Sequence, residues 1–286
     1  MLALLLALSN ASAFVDPKCA DYVLPDDYNE QAQQDFLANY VTLATSLSPQ
    51  HGPIPHQPGH GAIGLDLGII PPLGCGRRLV LNGTKTEDTN KSPVVPRIRA
   101  SFAFPAIGKL QPYAGVAYIP PVPLLGTRNV ILSGELGVGV PLSDKASIGG
   151  RYHFTMQKTV GEVATPFDIE DPAVDDLYLG SSFGFDALFG YEVGAVTPYL
   201  AVGVTDVSTF FYIGDDAVVA NNLHPYLGPV ASLGADALIK ERLRIGAEVF
   251  AAPGGHRRLE EDLAPAAGFG RYGHLVTGRL RLALEL

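Results

Sequence analysis

GHLVTGRLRLALEL, residues 273–286, alternates so strictly that its two faces can be written straight from the sequence. Leu280, Leu282, Leu284 and Leu286 fall on one side, and Arg279, Arg281, Ala283 and Glu285 on the other. Successive side chains of a strand point to opposite faces, so this stretch lies between an apolar and a polar environment. In a soluble protein the leucines would face a core and the charges would face water. In a membrane barrel the leucines face lipid and the charges line the lumen.

The same period of two recurs upstream, beginning at Ala62. It runs through Ile63–Ile69, Arg97–Phe104, Gln111–Ile119, Val130–Val140, Ser147–Met156, Leu177–Phe189, Tyr199–Thr205, Tyr226–Ala237 and Arg242–Ala251, which with the last stretch makes ten segments. The links between them alternate in length. Pro105–Leu110, Pro141–Lys145, Gly190–Gly194 and Ile239–Glu241 are short, whereas Pro71–Pro93, Lys158–Asp175, Tyr212–Asn222 and Ala252–Gly268 are long, and Pro120–Asn129 is intermediate. Short turns at one end and long loops at the other are how membrane barrels are built. An even strand count also brings the first and last strands back to one end.

Composition favours lipid outside. Charged residues make up 17% of the 286, against about 25% in a typical soluble domain. All seven lysines (Lys18, Lys85, Lys91, Lys109, Lys145, Lys158, Lys240) fall in links or in the N-terminal segment. The polar face is built from Gly, Ser, Thr and Ala with isolated charges, a mixture that can fill a narrow lumen. Arg97, Arg99, Arg151, Arg244, Arg279 and Arg281 could pair there with Glu135, Asp186, Asp236, Glu248 and Glu285, and His153 joins the same face beside Arg151. Buried charges need such partners to offset desolvation. Tyr113, Tyr118, Tyr152, Tyr178, Tyr199 and Tyr226 are candidates for interfacial girdles. Past the N-terminus no apolar run approaches the roughly 20 residues of a spanning helix. The net charge of −9 argues against a nucleic-acid partner.

Ahead of the strands, residues 1–13 end in Ala11-Ser12-Ala13 and read as a secretory signal. Residues 14–61 hold a helix and a linker. The helix, 26–48, is marked by Asp26 or Asp27 as cap and by Tyr28, Ala32, Phe36, Leu37, Tyr40, Val41, Ala44 and Leu47 at helical spacing. It must cover something: a barrel end, the lumen or a partner. The linker, SPQHGPIPHQPGHG over 48–61, has the composition of a stiff spacer. Its His51, His56 and His60 read as solvated rather than metal-ligating, and no cofactor is indicated. Cys19 and Cys75 are the right number for one disulfide in an oxidising compartment.

Through the Ala-Ser-Ala signal, the ten alternating segments over 62–286, the alternating links and a last strand that reaches the terminus, the chain resembles a bacterial outer-membrane β-barrel protein. It departs from the pattern in ending on Leu286 where such barrels usually carry Phe or Trp. The resemblance implies an all-β antiparallel barrel in the outer membrane with both termini periplasmic. It also implies contact with lipid and lipopolysaccharide, and insertion by the barrel-assembly machinery. The expected role is non-enzymatic: structural, adhesive or narrow-channel, with the lumen closed by the charge network and by the helix. The alternative is a rim protease or lipid-modifying enzyme using Asp175, Asp176, Asp215, Asp216, His256 or Asp262. Acidic residues in the long links, among them Glu162, Asp168, Glu170, Asp171, Glu260 and Glu261, are candidate contacts for divalent cations.

Overall fold

The computed structural model describes residues 39–74, 79–80, 85–87, 93–124, 127–161, 164–166, 176–213, 217–221, 226–240, 242–252 and 275–286. The signal, both cysteines, most of the helix and most residues of the acidic links lie outside them. Ten long strands form the fold: β1 (Gly61–Ile69), β2 (Val94–Ala103), β3 (Gln111–Leu124), β4 (Thr127–Pro141), β5 (Ala146–Gly161), β6 (Asp176–Tyr191), β7 (Val196–Ile213), β8 (Tyr226–Ile239), β9 (Leu243–Ala252) and β10 (Leu275–Glu285). Each pairs antiparallel with the next, and β10 returns to β1 with Ala62 opposite Glu285 and Gly68 opposite Arg279. The sheet is therefore a closed barrel. Closure leaves no unpaired edge, which is the condition for a sheet to sit in hydrocarbon.

The two faces sort by chemistry. Leu280, Leu282 and Leu284 are 53%, 54% and 57% exposed, whereas Arg279 and Arg281 on the same strand are each 1% exposed. The pattern repeats around the ring, with Ile98, Val116, Leu136, Phe185, Val202, Leu233 and Val249 outside and Arg97, Glu135, Arg151, Asp186, Asp236 and Glu248 inside. Exposed apolar surface on this scale, continuous around a closed barrel, is a lipid-facing belt.

Several details differ from the sequence expectations. Pro120–Asn129 is not a loop, because β3 and β4 continue through it to a link at 125–126. The register shifts between Ile119 and Val122, so Pro120 and Pro121 sit in an irregularity where they need not donate to the ladder. Of the six girdle tyrosines, Tyr118 is exposed, but Tyr113, Tyr178 and Tyr199 are buried inside. Their hydroxyl-bearing rings fill lumen space, and Tyr199 donates to Glu248 Oε2 at 2.8 Å. Short strands at 79–80, 85–87 and 164–166 make a small sheet of their own in the long links, and Ala217–Asn221 extends β7 as a hairpin.

The largest departure lies ahead of β1. The helix ends at residue 45 rather than 48, and residues 46–60 continue as irregular chain along the inside of the barrel. Tyr40 donates to the carbonyl of Pro71, just past β1, which places it at the long-link end. Pro53 lies against Gly190, and Gly59 donates to the carbonyl of Ala103, at the short-link end. Residue 39 and the C-terminus therefore lie at opposite ends of the barrel, although β1 begins where β10 finishes. His51 and His56, expected to be solvated, are 0% and 3% exposed; only His60 of the three lies open.

Candidate functional site in the barrel lumen

An irregular chain inside a barrel has no ladder to satisfy its amides, and buried backbone groups left unpaired are costly. Here the wall side chains take that part. The helix C-terminus offers orphan carbonyls carrying partial negative charge, and arginines from three strands meet them. Arg279 donates to the carbonyls of Leu43 and Ser46 at 3.3 and 2.8 Å. Arg97 reaches those of Thr45 and Ser46 at 2.8 and 3.3 Å, Arg151 that of Leu47 at 2.8 Å, and Arg99 that of Ser48 at 3.2 Å. These guanidiniums act as a C-cap spread over six residues, satisfying carbonyls of the last helical turn and of the chain just past it.

Further along, the polarity reverses. Glu248 accepts from the Gln50 amide at 2.9 Å and Asp236 from the Gly52 amide at 3.1 Å, while Thr155 Oγ1 accepts from Leu47 N at 3.0 Å. The wall also makes room. A Cβ at Gly139 would overlap the Pro53 carbonyl, and one at Gly180 would overlap the Thr42 hydroxyl. Around the helix, Tyr40, Leu43 and Ala44 pack with Ile70, Val95, Ile131, Tyr178, Val207, Phe211, Phe250 and Leu275 in an apolar cluster at the long-link end. Leu43, Thr42 and Thr45, off the apolar stripe, are as buried as the residues on it. The described part of the helix, residues 39–45, is thus enclosed on nearly every side, with Val41 half-buried.

The charges connect to one another as well as to the segment. Asp186 Oδ2 meets Arg151 at 2.5 Å, Arg151 Nε meets Glu135 at 2.6 Å, Glu135 meets Arg99, and Arg99 meets Asp66 at 3.1 Å. His153 Nε2 lies 3.5 Å from Asp186, and His51 Nε2 lies 3.5 Å from Glu135 with its ring edge-on to Tyr113. From Asp66 the path runs to Arg281 Nε at 3.8 Å, and Arg281 Nη2 donates to Ser101 Oγ at 2.9 Å. Ser101 lies 2.7 Å from His56 Nε2, and His56 Nδ1 lies 2.7 Å from Glu285. Glu285 then holds Arg244 at 3.3 Å, and Arg244 pairs with Asp236. Arg279, outside this path, lies over the Phe250 ring with 4.1 Å from Cζ to the centroid.

All twelve residues expected in the lumen therefore sit there, joined by others that sequence reasoning passed over: Asp66, His51, His56, Ser101, Tyr113 and Tyr199. Asp66 faces the lumen between Gly64 and Gly68 and supplies a sixth carboxylate opposite the six arginines. Of the residues offered for a rim enzyme, Asp176 is the described one, and it is 1% exposed. Among the described residues no group of three His, Cys, Asp or Glu is arranged to hold a metal ion. At the short-link end the lumen opens into a vestibule of about 930 Å³ bordered by Ile54, His56, Lys145, Glu192, Arg244 and Glu285.

A ring of apolar side chains outside and a packed charge network inside decide the class. The architecture is that of an outer-membrane β-barrel. No family model and no curated protein sequence matches the chain. Among solved structures it is similar to the translocator domain of the autotransporter NalP from Neisseria meningitidis, with TM-score 0.46 and 10% identity over 80% of this chain and 88% of that one. It is also similar to the toluene transporter TodX of Pseudomonas putida, with TM-score 0.36 and 10% identity over 87% and 75% of the two chains. LpxR from Salmonella typhimurium aligns with TM-score 0.32 and 7% identity over 79% and 99%. At these scores the likenesses carry nothing about activity.

Proposed function

We propose that this protein is a structural barrel of the outer membrane whose lumen is sealed by its own N-terminal segment. In this reading the short links are periplasmic and the long ones face outward, and outer-membrane lipid and lipopolysaccharide are the partners of the apolar belt. The observation that carries it is the grip of Arg97, Arg99, Arg151 and Arg279 on the carbonyls of residues 43–48. A segment held by charge-assisted hydrogen bonds from three strands is part of the wall's own polar satisfaction rather than a loosely seated tether. Purified protein in planar bilayers should give little or no steady conductance, and a variant lacking residues 39–56 should conduct. Steady single-channel currents from the intact protein would replace the sealed barrel with a pore.

A further inference from the structure

We propose that Ser101, His56 and Glu285 form a nucleophile–base–acid relay at the short-link end of the lumen, acting on small carboxylic esters that enter the vestibule. The relay goes beyond the sealed-barrel reading and does not depend on it.

The geometry has the order that acyl transfer requires. Ala62 of β1 pairs with Ser101 of β2 on one side and with Glu285 of β10 on the other, so the serine and the carboxylate share one rung of the barrel and both face inward. His56, carried in by the lumenal segment, bridges them with 2.7 Å to each. An ionised carboxylate can only accept, so the proton sits on His56 Nδ1 and points at Glu285 Oε1. That fixes the tautomer and leaves the Nε2 lone pair facing the Ser101 hydroxyl, the arrangement by which a base activates a serine and a third group orients the base. Glu285 is itself steadied through Oε2 by Arg244 Nε at 3.3 Å.

A further group completes the constellation. Arg281, 1% exposed, donates through Nη2 to Ser101 Oγ, and its Nη1 has no hydrogen-bond partner among the described residues. In the relay this N–H group serves as donor to the charge that develops when that serine attacks a carbonyl. His56 and Glu285 border the vestibule, whereas Ser101, 6% exposed, is outside its lining and one hydrogen bond behind the imidazole, so the relay requires an acyl group small enough to pass the His56 ring.

In the reaction, Ser101 Oγ forms a bond to the ester carbon as its proton passes to His56 Nε2, and Arg281 Nη1 meets the oxyanion. The bond to the leaving alcohol breaks and the alcohol takes the proton from Nε2. Water then attacks the acyl-serine with its proton passing to Nε2. The carboxylic acid departs and the proton returns to Oγ.

The test uses the full folded chain in detergent, with heat-modifiable gel mobility as the check on folding. A small alkyl fluorophosphonate should leave an adduct that peptide mass mapping locates at Ser101, and p-nitrophenyl acetate should be hydrolysed. Ser101→Ala should abolish both. His56→Gln should lower each rate by about 10²–10⁴-fold while retaining the mobility shift. Folded wild-type protein that acquires no adduct at Ser101, or whose ester turnover is matched by Ser101→Ala, would overturn the relay. The adduct is sought on the unsubstituted protein, so the relay stands or falls even where a variant fails to fold, and conductance remains a separate readout for the seal.

Discussion

Replacing Glu135 by Gln tests the lumen network at its most connected point. Glu135 is 2% exposed and accepts from Arg99 on one oxygen and from Arg151 on the other, the latter at 2.6 Å. Glutamine keeps the volume but removes the charge, and its amide turns a donor toward one of two guanidiniums that are themselves donors. Breaking a buried pair by removing one partner costs about 3–5 kcal/mol. Arg99 keeps Asp66 at 3.1 Å and Arg151 keeps Asp186 at 2.5 Å, so the expected loss lies in the lower part of that range. The assay is equilibrium urea unfolding of the barrel in lipid vesicles, followed by far-UV circular dichroism and by gel mobility, since the chain contains no tryptophan. Adding Arg99→Gln removes the excess charge and should recover part of the loss, with a coupling energy of about 0.5–3 kcal/mol. A single substitution that costs less than about 1 kcal/mol would refute the argument, since a network in which this carboxylate is dispensable cannot be what organises the lumen.

Three further outcomes follow from the same geometry. Leu282→Arg on the lipid-facing side of β10 should destabilise the inserted barrel by about 2–4 kcal/mol if that position lies near the bilayer midplane, while Leu282→Ala should cost less than half as much; vesicle unfolding measures both. Gly139→Val should push the Pro53 carbonyl aside, costing about 1–3 kcal/mol as an overpacked site, and the loosened segment should become sensitive to protease added from the short-link side. The double variant Arg97→Ala with Arg279→Ala strips the carbonyls of Thr45 and Ser46 of their arginine donors, so intermittent conductance should appear in planar bilayers where the parent is silent.

How much of this is legible in the sequence can be followed residue by residue. The alternation in Arg279–Leu286 and its nine counterparts places every expected lumenal charge on the correct face, because period two depends only on backbone geometry. Asp66 is on the polar face of its segment too, but its meaning comes from register: only when β1 lies between β2 and β10 do Arg97 and Arg281 become its cross-strand neighbours. The lumenal course of residues 46–60 is not legible at all. SPQHGPIPHQPGHG carries the composition of a spacer, and what orders it is a set of arginines about 50 to more than 200 residues away. The tyrosines mislead for a related reason: nearness to a strand end suits both a membrane girdle and a lumen cap, and the parity that puts Tyr178 and Tyr199 inside is the better guide.

The course of the lumenal segment also constrains how the molecule can be made. Residue 39 leaves by one mouth of a ring whose first and last strands meet at the other, so the finished form is a loop drawn through a hoop. Two assembly orders yield it: the chain ahead of residue 39 passes through a completed hoop, or the β1–β10 seam zips shut around a segment already lying between the strands. A small domain locked by internal disulfides and fused ahead of residue 39 separates the two, since its bulk stops passage and leaves enclosure untouched.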